Sequence, residues 1–416
     1  MRVVVAGAGM AGLRSAEALR KAGFDGEVTV VGAEPHMPYN RPPLSKEAVG
    51  GESFDPAQLT FRVARAAADS LGWRLGEPAV ATDLAARTVS LADGTVLGWD
   101  GLVVATGVRS RRLSLPGPQG GVHVVRALDD LATLRKDLEL ARRIVVVGGG
   151  FIGSEVAAAA RSRGLDVTVV EPEPLPMRRP LGDELAAELL RRHEARGVRF
   201  RLGTAPVAFE GDRSGSDGRV RAVALTDGTS LDADLVVESV GSVPNTEWLD
   251  GNDLDLADGV ACDERLRVLA DGVARDDVVA AGDVARYPHP LLFGASRRIE
   301  HWTVATDTGK YAAAGLARAL SGAVSDGDAA ARGRFAAVPT FWSDQYDLRI
   351  QSFGVTGLAD VRILEGSLDG DVAVGYYHEG LLAGVVLIGL GGRYVHYRGE
   401  IAATIAVLTG AGSAAR

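Results

Sequence analysis

Two glycine-rich strings in the chain have the spacing needed to bind the pyrophosphate of a dinucleotide. GAGMAG runs from Gly7 to Gly12, and GGGFIG runs from Gly148 to Gly153. Between a strand and a helix, the first glycine permits a tight turn, the second lets a pyrophosphate approach, and the third lets helix and strand pack closely. The N-terminus of the helix then faces the phosphates. One such string is weak support by itself, because glycine turns also occur without ligands.

An acidic residue follows each glycine string at the end of the next apolar strand. It is Glu34 after the first string and Glu171 after the second. A carboxylate in this position can accept hydrogen bonds from ribose hydroxyls. The two strings in matching contexts therefore predict two dinucleotide sites.

The elements that would position these residues form an internal repeat. VVVAGAGMAGLRSAEALRKAGFDGEVTVVGAE starts at Val3, and IVVVGGGFIGSEVAAAARSRGLDVTVVEPE starts at Ile144. Each copy reads as strand, glycine turn, helix and strand. Later strands, LVVATG and LVVESVG, end at Gly107 and Gly241. We therefore predict an α/β fold with two Rossmann-like dinucleotide-binding domains, as in glutathione reductase, and a small α+β C-terminal domain.

Two dinucleotide sites in one chain suggest a redox relay. A nicotinamide delivers a hydride, whereas a flavin accepts two electrons and can release them singly. Asp283, in VVAAGDVARYP, would follow a strand beside a helix start, where a carboxylate can bind ribityl hydroxyls. An N-cap role is the alternative for this residue. We predict FAD and NADH as cofactors, with NADPH less favoured.

The repeat and the later segments give the domain boundaries. Residues 1–110 and 242–322 would form a discontinuous FAD-binding domain, and residues 111–241 the NAD-binding domain. Residues 323–416 would form the C-terminal domain, mostly β from Arg334 to about Ile401. Residues 321–333, SGAVSDGDAAARG, read as a linker.

Composition narrows the classes of function. The 416 residues carry a net charge of −9, which disfavours nucleic acid as a partner. No apolar run approaches the ~20 residues that span a bilayer, and no signal-peptide pattern is present, so we expect a soluble cytoplasmic protein. The single cysteine, Cys262, excludes a disulfide within the chain. The histidines lack metal-ligand spacing, so we expect no metal site.

Several longer motifs resemble the FAD-dependent NAD(P)H:ferredoxin reductases of bacterial oxygenase systems. The resemblance covers nearly the whole chain, and its motifs are PYNRPPLSK (38–46), VVATG (103–107), GGGFIGSE (148–155), AAGDVARY (280–287), RIEHW (298–302) and FWSDQYDL (341–348). It implies electron transfer from NADH through FAD to a small iron–sulfur ferredoxin that serves a monooxygenase or dioxygenase. The oligomeric state is left open, with a monomer slightly favoured.

The resemblance also assigns cofactor-binding residues. Those implied for FAD are Gly7, Gly9, Met10, Ala11, Gly12, Arg41, Lys46, Val80, Thr106, Gly107, Arg126, Asp283 and Trp302. Those implied for the nicotinamide dinucleotide are Gly148, Gly150, Phe151, Ile152, Gly153, Glu171 and Gly241. Members of the family often carry the ribose-binding acid at the position of Ala33, so in this chain Glu34 must replace it or the contact is lost.

Four residues are implied in catalysis. Lys46 is expected near the flavin and paired with Glu155, which opens the helix after the second glycine turn. Phe151 resembles an aromatic gate over the flavin, with simple packing as the alternative. Trp342 would lie at the flavin edge or on the docking surface, with a core position as the alternative.

Two rival functions remain at this stage. A disulfide or peroxide reductase on the same fold needs a reactive cysteine near the flavin, where this chain has Leu44, Ser45 and Lys46. A redox sensor that binds FAD and NADH without efficient ferredoxin turnover shares the same motifs. For docking of an acidic ferredoxin we expect a local basic patch formed by Arg109, Arg111, Arg112, Arg297 and Arg298, with pairing to nearby carboxylates as the alternative.

Overall fold

The computed structural model describes residues 1–51, 54–212, 218–322 and 333–410. Most of the predicted linker at 321–333 lies outside the described residues. Within these ranges, no helix is both long enough and apolar enough to cross a membrane. The helices are α1 (Met10–Lys21), α2 (Glu47–Gly50), α3 (Arg65–Ala68), α4 (Leu128–Leu138), α5 (Phe151–Ser162), α6 (Arg178–Leu181), α7 (Asp183–Ala195), α8 (Trp302–Leu320) and α9 (Tyr394–Leu408).

The strands follow the glycine-punctuated apolar runs of the sequence. As far as residue 123 they are β1 (Arg2–Ala6), β2 (Glu27–Gly32), β3 (Leu71–Leu75), β4 (Ala79–Asp83), β5 (Thr88–Leu91), β6 (Val96–Gly98), β7 (Gly101–Val104), β8 (Val108–Ser110) and β9 (Val122–His123). As far as residue 244 they are β10 (Arg143–Val147), β11 (Asp166–Glu171), β12 (Arg199–Leu202), β13 (Pro206–Gly211), β14 (Val220–Leu225), β15 (Ser230–Asp232), β16 (Leu235–Glu238) and β17 (Ser242–Pro244). Thereafter they are β18 (Val260–Ala261), β19 (Arg267–Ala270), β20 (Val273–Ala280), β21 (Ala285–Pro288), β22 (Ser296–Arg298), β23 (Thr340–Gln345), β24 (Leu348–Gly354), β25 (Asp360–Gly366), β26 (Val372–His378) and β27 (Leu381–Ile388).

The first sheet has the strand order β19-β20-β7-β1-β2-β3. β1 lies between β2 and β7, parallel to both, and its residues Val3, Val4 and Val5 are buried. Strands covered on both faces favour such uninterrupted β-branched runs. The chain leaves this sheet after β7 and returns with β19 and β20, and β20 pairs with β7 in parallel. This return places the segment that contains Asp283 beside the first glycine turn.

The second sheet repeats this arrangement with the order β12-β11-β10-β16-β9, all parallel. The glycine turn after its central strand β10 leads into α5. A smaller antiparallel sheet, β13-β14-β15, is attached to it. Both copies of the sequence repeat therefore form βαβ units at the centre of their sheets.

The C-terminal part contains an antiparallel sheet with the order β23-β24-β27-β26-β25. One face packs against Leu185 and Leu189 of α7, and the other packs against Tyr397 and Ile401 of α9. The β pattern was expected to reach Ile401, but the last strand ends at Ile388 and α9 follows. The predicted fold class, two Rossmann-like domains with a small α+β domain, is confirmed.

Candidate active site between the two nucleotide-binding domains

Both glycine turns open into one large cleft of about 1650 Å³. Its walls come from the first domain, the second domain and strand β23 of the C-terminal sheet. Single small-molecule sites usually measure about 300–1,000 Å³. The cleft is therefore large enough for more than one ligand of ordinary size.

Most of the predicted site residues line this cleft. They are Gly7, Gly9, Met10, Ala11, Glu34, Arg41, Lys46, Val80, Thr106, Gly107, Arg126, Gly150, Phe151, Ile152, Glu155, Gly241, Asp283, Trp302 and Trp342. Four others do not line it, and these are Gly12, Gly148, Gly153 and Glu171.

The four outlying residues shape the turns from behind. A Cβ on Gly12 would lie 1.8 Å from the carbonyl oxygen of Gly7, and one on Gly153 would lie 2.0 Å from that of Gly148. These glycines therefore permit close packing of helix on turn, as the third glycine of the motif should. The four residues shape the two glycine turns, and they do not themselves line the cleft.

The first glycine turn leaves room for a phosphate. Gly9 is the N-cap of α1, and a Cβ built there meets no described atom within 4 Å apart from its immediate neighbours in the chain. The N–H groups in the first turn of a helix have no partner within that helix. Trp302 Nε1 and His301 Nδ1 are also buried at the cleft without a hydrogen-bond partner in the described chain. Open space, unpartnered polar atoms and a helix N-terminus together fit a bound dinucleotide such as FAD.

Glu34 faces the cleft but is already engaged by neighbouring side chains. Arg41 Nη2 lies 2.5 Å from Glu34 Oε1, and the Tyr39 hydroxyl donates to Glu34 Oε2 at 2.6 Å. Arg41 also donates to the backbone carbonyl of Arg126. The carboxylate is thus held by a fixed cation and retains further acceptor capacity, because each oxygen has two lone pairs.

Asp283 lies where the returning chain meets the first glycine turn. It sits in a short 3₁₀ turn, Gly282–Val284, immediately after β20. Its Oδ2 accepts from Arg126 Nη2 at 2.9 Å. Burial lowers the pKa of the nearby His301 to about 4, so this imidazole is neutral at physiological pH.

The second glycine turn repeats the open space of the first. Gly150 is the N-cap of α5, and a Cβ built there also meets no described atom within 4 Å apart from its immediate neighbours in the chain. Glu171 lies below the turn, where its Oε2 accepts from the backbone N–H of Gly149 at 2.6 Å. Its Oε1 accepts from the backbone N–H of Glu173 at 2.9 Å. In this structure Glu171 therefore braces the turn.

Two arginines that could favour a phosphate-bearing coenzyme are paired with carboxylates. Arg179 lies 2.7 Å from Glu173, and Arg178 lies 2.6 Å from Asp183 and 3.7 Å from Glu173. The two guanidinium groups hold the pKa of Glu173 below its usual range. Glu173 was not singled out from the sequence, although its place two residues after Glu171 could have drawn attention to it.

The predicted pair of Lys46 and Glu155 is present and is buried. Lys46 Nζ lies 2.8 Å from Glu155 Oε2, and the two side chains are 9% and 2% exposed. Ser45 donates to the same oxygen at 2.5 Å, and Ser343 donates to Glu155 Oε1 at 2.6 Å. Gln345 in turn donates to the Ser343 hydroxyl. The pair therefore joins all three parts of the chain, since Ser343 and Gln345 belong to β23.

The aromatic residues cover one end of the cleft. Phe151 contacts Phe341 edge-on with ring centroids 4.8 Å apart, and Trp302 contacts Trp342 with centroids 5.7 Å apart. Trp342 is half-buried and lines the cleft, so it is not confined to the core. The Phe151 contact is compatible both with simple packing and with a movable cover.

The sequence reasoning missed Ser45, Ser343 and Glu238. The serines carry no motif signal of their own, because their function depends on reaching Glu155 across the fold. Glu238 could have been noticed from the sequence, because it places a charge in LVVESVG. The matching strand LVVATG is apolar up to its turn.

Three of the five arginines expected in a docking patch are paired locally. Arg109 pairs with Glu247, Arg112 approaches Glu238, and Arg298 pairs with Asp258 and Glu300. The Arg298 side chain is only 12% exposed, so it is not available for docking. The remaining two, Arg111 and Arg297, are exposed and have no carboxylate partner in the described chain.

Two Rossmann-like domains whose glycine turns share one cleft have the architecture expected of an oxidoreductase that uses two dinucleotides. A family model described as pyridine nucleotide-disulphide oxidoreductase matches residues 1–309, and one described as reductase C-terminal matches residues 340–411. The chain belongs to the pyridine nucleotide-disulphide oxidoreductase family and carries a reductase C-terminal domain.

Relatives that are similar to most of the chain are named as reductases. Rhodocoxin reductase of Rhodococcus erythropolis is 37% identical over 374 residues, which cover 89% of this chain and 82% of the relative. The anthranilate 1,2-dioxygenase system ferredoxin–NAD(+) reductase component of Burkholderia cepacia is 38% identical, covering 87% and 84%. The covalent putidaredoxin reductase–putidaredoxin complex has a TM-score of 0.84 at 30% identity, covering 98% of this chain and 93% of that one.

Proposed function

We propose that this protein is an FAD-dependent reductase that takes electrons from NADH and passes them to a small ferredoxin of the [2Fe–2S] or a similar type, which serves a monooxygenase or dioxygenase. The observation that carries this proposal is the shared cleft. Two separate dinucleotide cradles open into it, so a flavin on the first domain and a nicotinamide on the second can meet. When bound, FAD accepts a hydride from NADH and releases its electrons one at a time.

The names of the relatives support the choice of acceptor. Those from dioxygenase systems are named as ferredoxin–NAD(+) reductase components, and one structural neighbour is a reductase joined to putidaredoxin. The similarity extends across the C-terminal sheet, which contributes β23 to the cleft. Sequence identity above 30% over most of both chains favours the same class of reaction.

The residues of the chain would act mainly by binding and positioning. Gly9, Arg41 and Asp283 line the cleft and would hold FAD, and Gly150 lines it and would form part of the cradle for NADH. Lys46 places a cation inside the cleft, where a fixed charge acts more strongly than in water. Its partner Glu155 fixes the position of the lysine. Catalysis by orientation of donor and acceptor needs no nucleophile or general acid from the chain.

A disulfide reductase is disfavoured by the position of the single thiol. Cys262 is 3% exposed, and burial raises the pKa of its thiol. It does not line the cleft. A buried, protonated thiol away from the cofactor site cannot serve as the nucleophile that such an enzyme requires. The one-cysteine composition also accords with the cytoplasmic location that belongs to this proposal.

The experiment that tests the proposal is a steady-state assay on the purified yellow protein. NADH should reduce several small [2Fe–2S] ferredoxins catalytically, and NADPH should be the poorer donor. A redox sensor would instead form a long-lived reduced flavin complex with negligible ferredoxin reduction. That outcome would replace the proposed function with the sensor function.

A further inference from the structure

Glu238 is a buried carboxylate with one oxygen that has no donor. It is the last residue of β16 and is 2% exposed. Its Oε1 accepts from the backbone N–H of Leu113 at 3.0 Å. Its Oε2 is buried without a hydrogen bond from the described chain, and Arg112 Nη1 lies 3.7 Å away. Leaving a buried acceptor unpaired costs free energy, so a ligand donor is the natural partner for this oxygen.

The internal repeat indicates that the fold itself does not need this carboxylate. Val104 pairs with Ala6, the residue before the first glycine turn, and Glu238 pairs with Val147, the residue before the second. The two positions are therefore equivalent in their domains. In the first domain the position is filled by a valine with no exposed surface.

Burial makes the carboxylate of Glu238 costly to keep. Desolvation raises its pKa, and the Leu113 N–H and Arg112 offset this effect only in part. A valine at this position would avoid the desolvation cost altogether. This desolvation cost indicates that Glu238 has a role that Val104 does not have in the first domain.

The location of Glu238 points to one half of the coenzyme. β10 is the central strand beneath the glycine turn, with β11 on one side and β16 on the other. A dinucleotide lies across the turn, over the carboxyl ends of the strands. Glu171 ends β11 on the side where the adenosine ribose is expected. Glu238 ends β16 on the opposite side and lines the cleft.

We propose that Glu238 is a second ribose-binding carboxylate, whose Oε2 accepts a hydrogen bond from a hydroxyl of the ribose that carries the nicotinamide. Leu113 holds the carboxylate in place through Oε1, and Oε2 is left without a hydrogen bond from the described chain, in a residue that lines the cleft. The inference rests on the proposed function, because it takes NADH as the ligand of the second domain.

The test is calorimetric titration of the FAD-loaded protein with NAD⁺ and with ADP, which lacks the nicotinamide ribose. Glu238→Val, which copies the residue of the first domain, should weaken NAD⁺ binding by about tenfold or more and leave ADP binding unchanged. Glu238→Gln keeps the side-chain size and one acceptor oxygen, so it should weaken NAD⁺ binding less. Glu171→Gln serves as the control, since it should weaken both ligands.

Two results would overturn the inference. One is an NAD⁺ affinity in both Glu238 variants equal to that of the wild type. The other is an equal loss for ADP and NAD⁺, which would indicate a general disturbance of the domain. Failure of the proposed function would look different, because NADH would then fail to reduce the flavin of the wild-type protein.

Discussion

At the scale of single residues, substitutions at Gly9 and Gly150 can test cofactor binding without disturbing the fold. Both have φ values open to any L-residue, −84° and −72°, and neither would crowd a described neighbour with a Cβ. Gly9→Val should therefore fold but fail to retain FAD, whereas Gly150→Val should retain FAD and lose NAD⁺ binding. Flavin absorbance and calorimetry measure the two effects.

A matched control for these variants is Gly12→Ala. Its Cβ would clash with the carbonyl of Gly7, so this change should lower the stability of the whole first domain. If folded Gly9→Val contained one FAD per chain, the assignment of the first turn to the flavin would be wrong.

The buried pair of Lys46 and Glu155 gives a second prediction. Lys46→Met leaves Glu155 buried with hydroxyl donors only, so it should lower the free energy of unfolding by about 3–5 kcal/mol. The double change Lys46→Met with Glu155→Leu should recover a large part of that loss. Ser343→Ala removes one hydrogen bond and should cost only about 1–3 kcal/mol. Denaturant unfolding of the three variants measures these differences, and equal stability of all three would contradict the account.

The sequence was sufficient to predict some residues of the candidate site but not others. Motifs and the family resemblance singled out Lys46, Glu155 and Asp283, and all three line the cleft. Ser343 could not be foreseen, since it is 188 positions from the carboxylate that it binds. Glu34 and Glu171 follow their strands as expected, but their hydrogen bonds to Arg41 and to Gly149 depend on turn geometry that spacing does not specify.

At the scale of elements, the connection from β11 to α7 carries a prediction on coenzyme choice. Glu173 and Asp183 pair with Arg178 and Arg179, and so reduce the cationic character of the surface near Glu171. Glu173→Gln should release Arg179, whose side chain is already 84% exposed. The ratio of kcat/KM for NADPH to that for NADH should then rise by about tenfold, because a guanidinium can bind a 2′-phosphate.

Steady-state kinetics with both coenzymes test this prediction. Glu210→Gln, an exposed change in β13, is the matched control and should leave the ratio unaltered. An unchanged ratio in Glu173→Gln would mean that the arginines do not reach the coenzyme.

Elements with strong periodicity were predictable, and those without it were not. Apolar β-branched runs around glycine turns identified both βαβ units, because central parallel strands are buried on both faces. Helix α9 was missed at its start. It carries exposed Val395 and Val407 as well as buried Ile401, so its sequence shows no clear apolar stripe.

At the scale of the whole molecule, net charge opposes the docking of an acidic ferredoxin, so a local basic surface must overcome it. Arg111 and Arg297 are the exposed candidates left after local pairing. Reversal of both, Arg111→Glu with Arg297→Glu, should lower the rate constant for association with ferredoxin by about tenfold at low salt. Added salt should slow the wild type and affect the variant much less, since exposed charges are screened over about 8 Å at physiological ionic strength.

Stopped-flow ferredoxin reduction at several salt concentrations measures this effect. Arg201→Glu on the outer strand β12 is the control and should behave as the wild type. Hydride transfer from NADH should be unchanged in both variants. If the double reversal altered neither the rate nor its salt dependence, docking would occur elsewhere, with the neighbourhood of Trp342 as the next surface to test.

The central claim is that one chain couples a two-electron donor to a one-electron acceptor through the shared cleft. Anaerobic double-mixing stopped-flow tests it directly, with one equivalent of NADH mixed first and excess oxidised [2Fe–2S] ferredoxin mixed second. The account predicts that NADH bleaches the flavin within the first phase, and that two equivalents of ferredoxin are then reduced as the flavin colour returns. A flavin that NADH does not bleach, or a bleached flavin that persists while the ferredoxin stays oxidised, would contradict it.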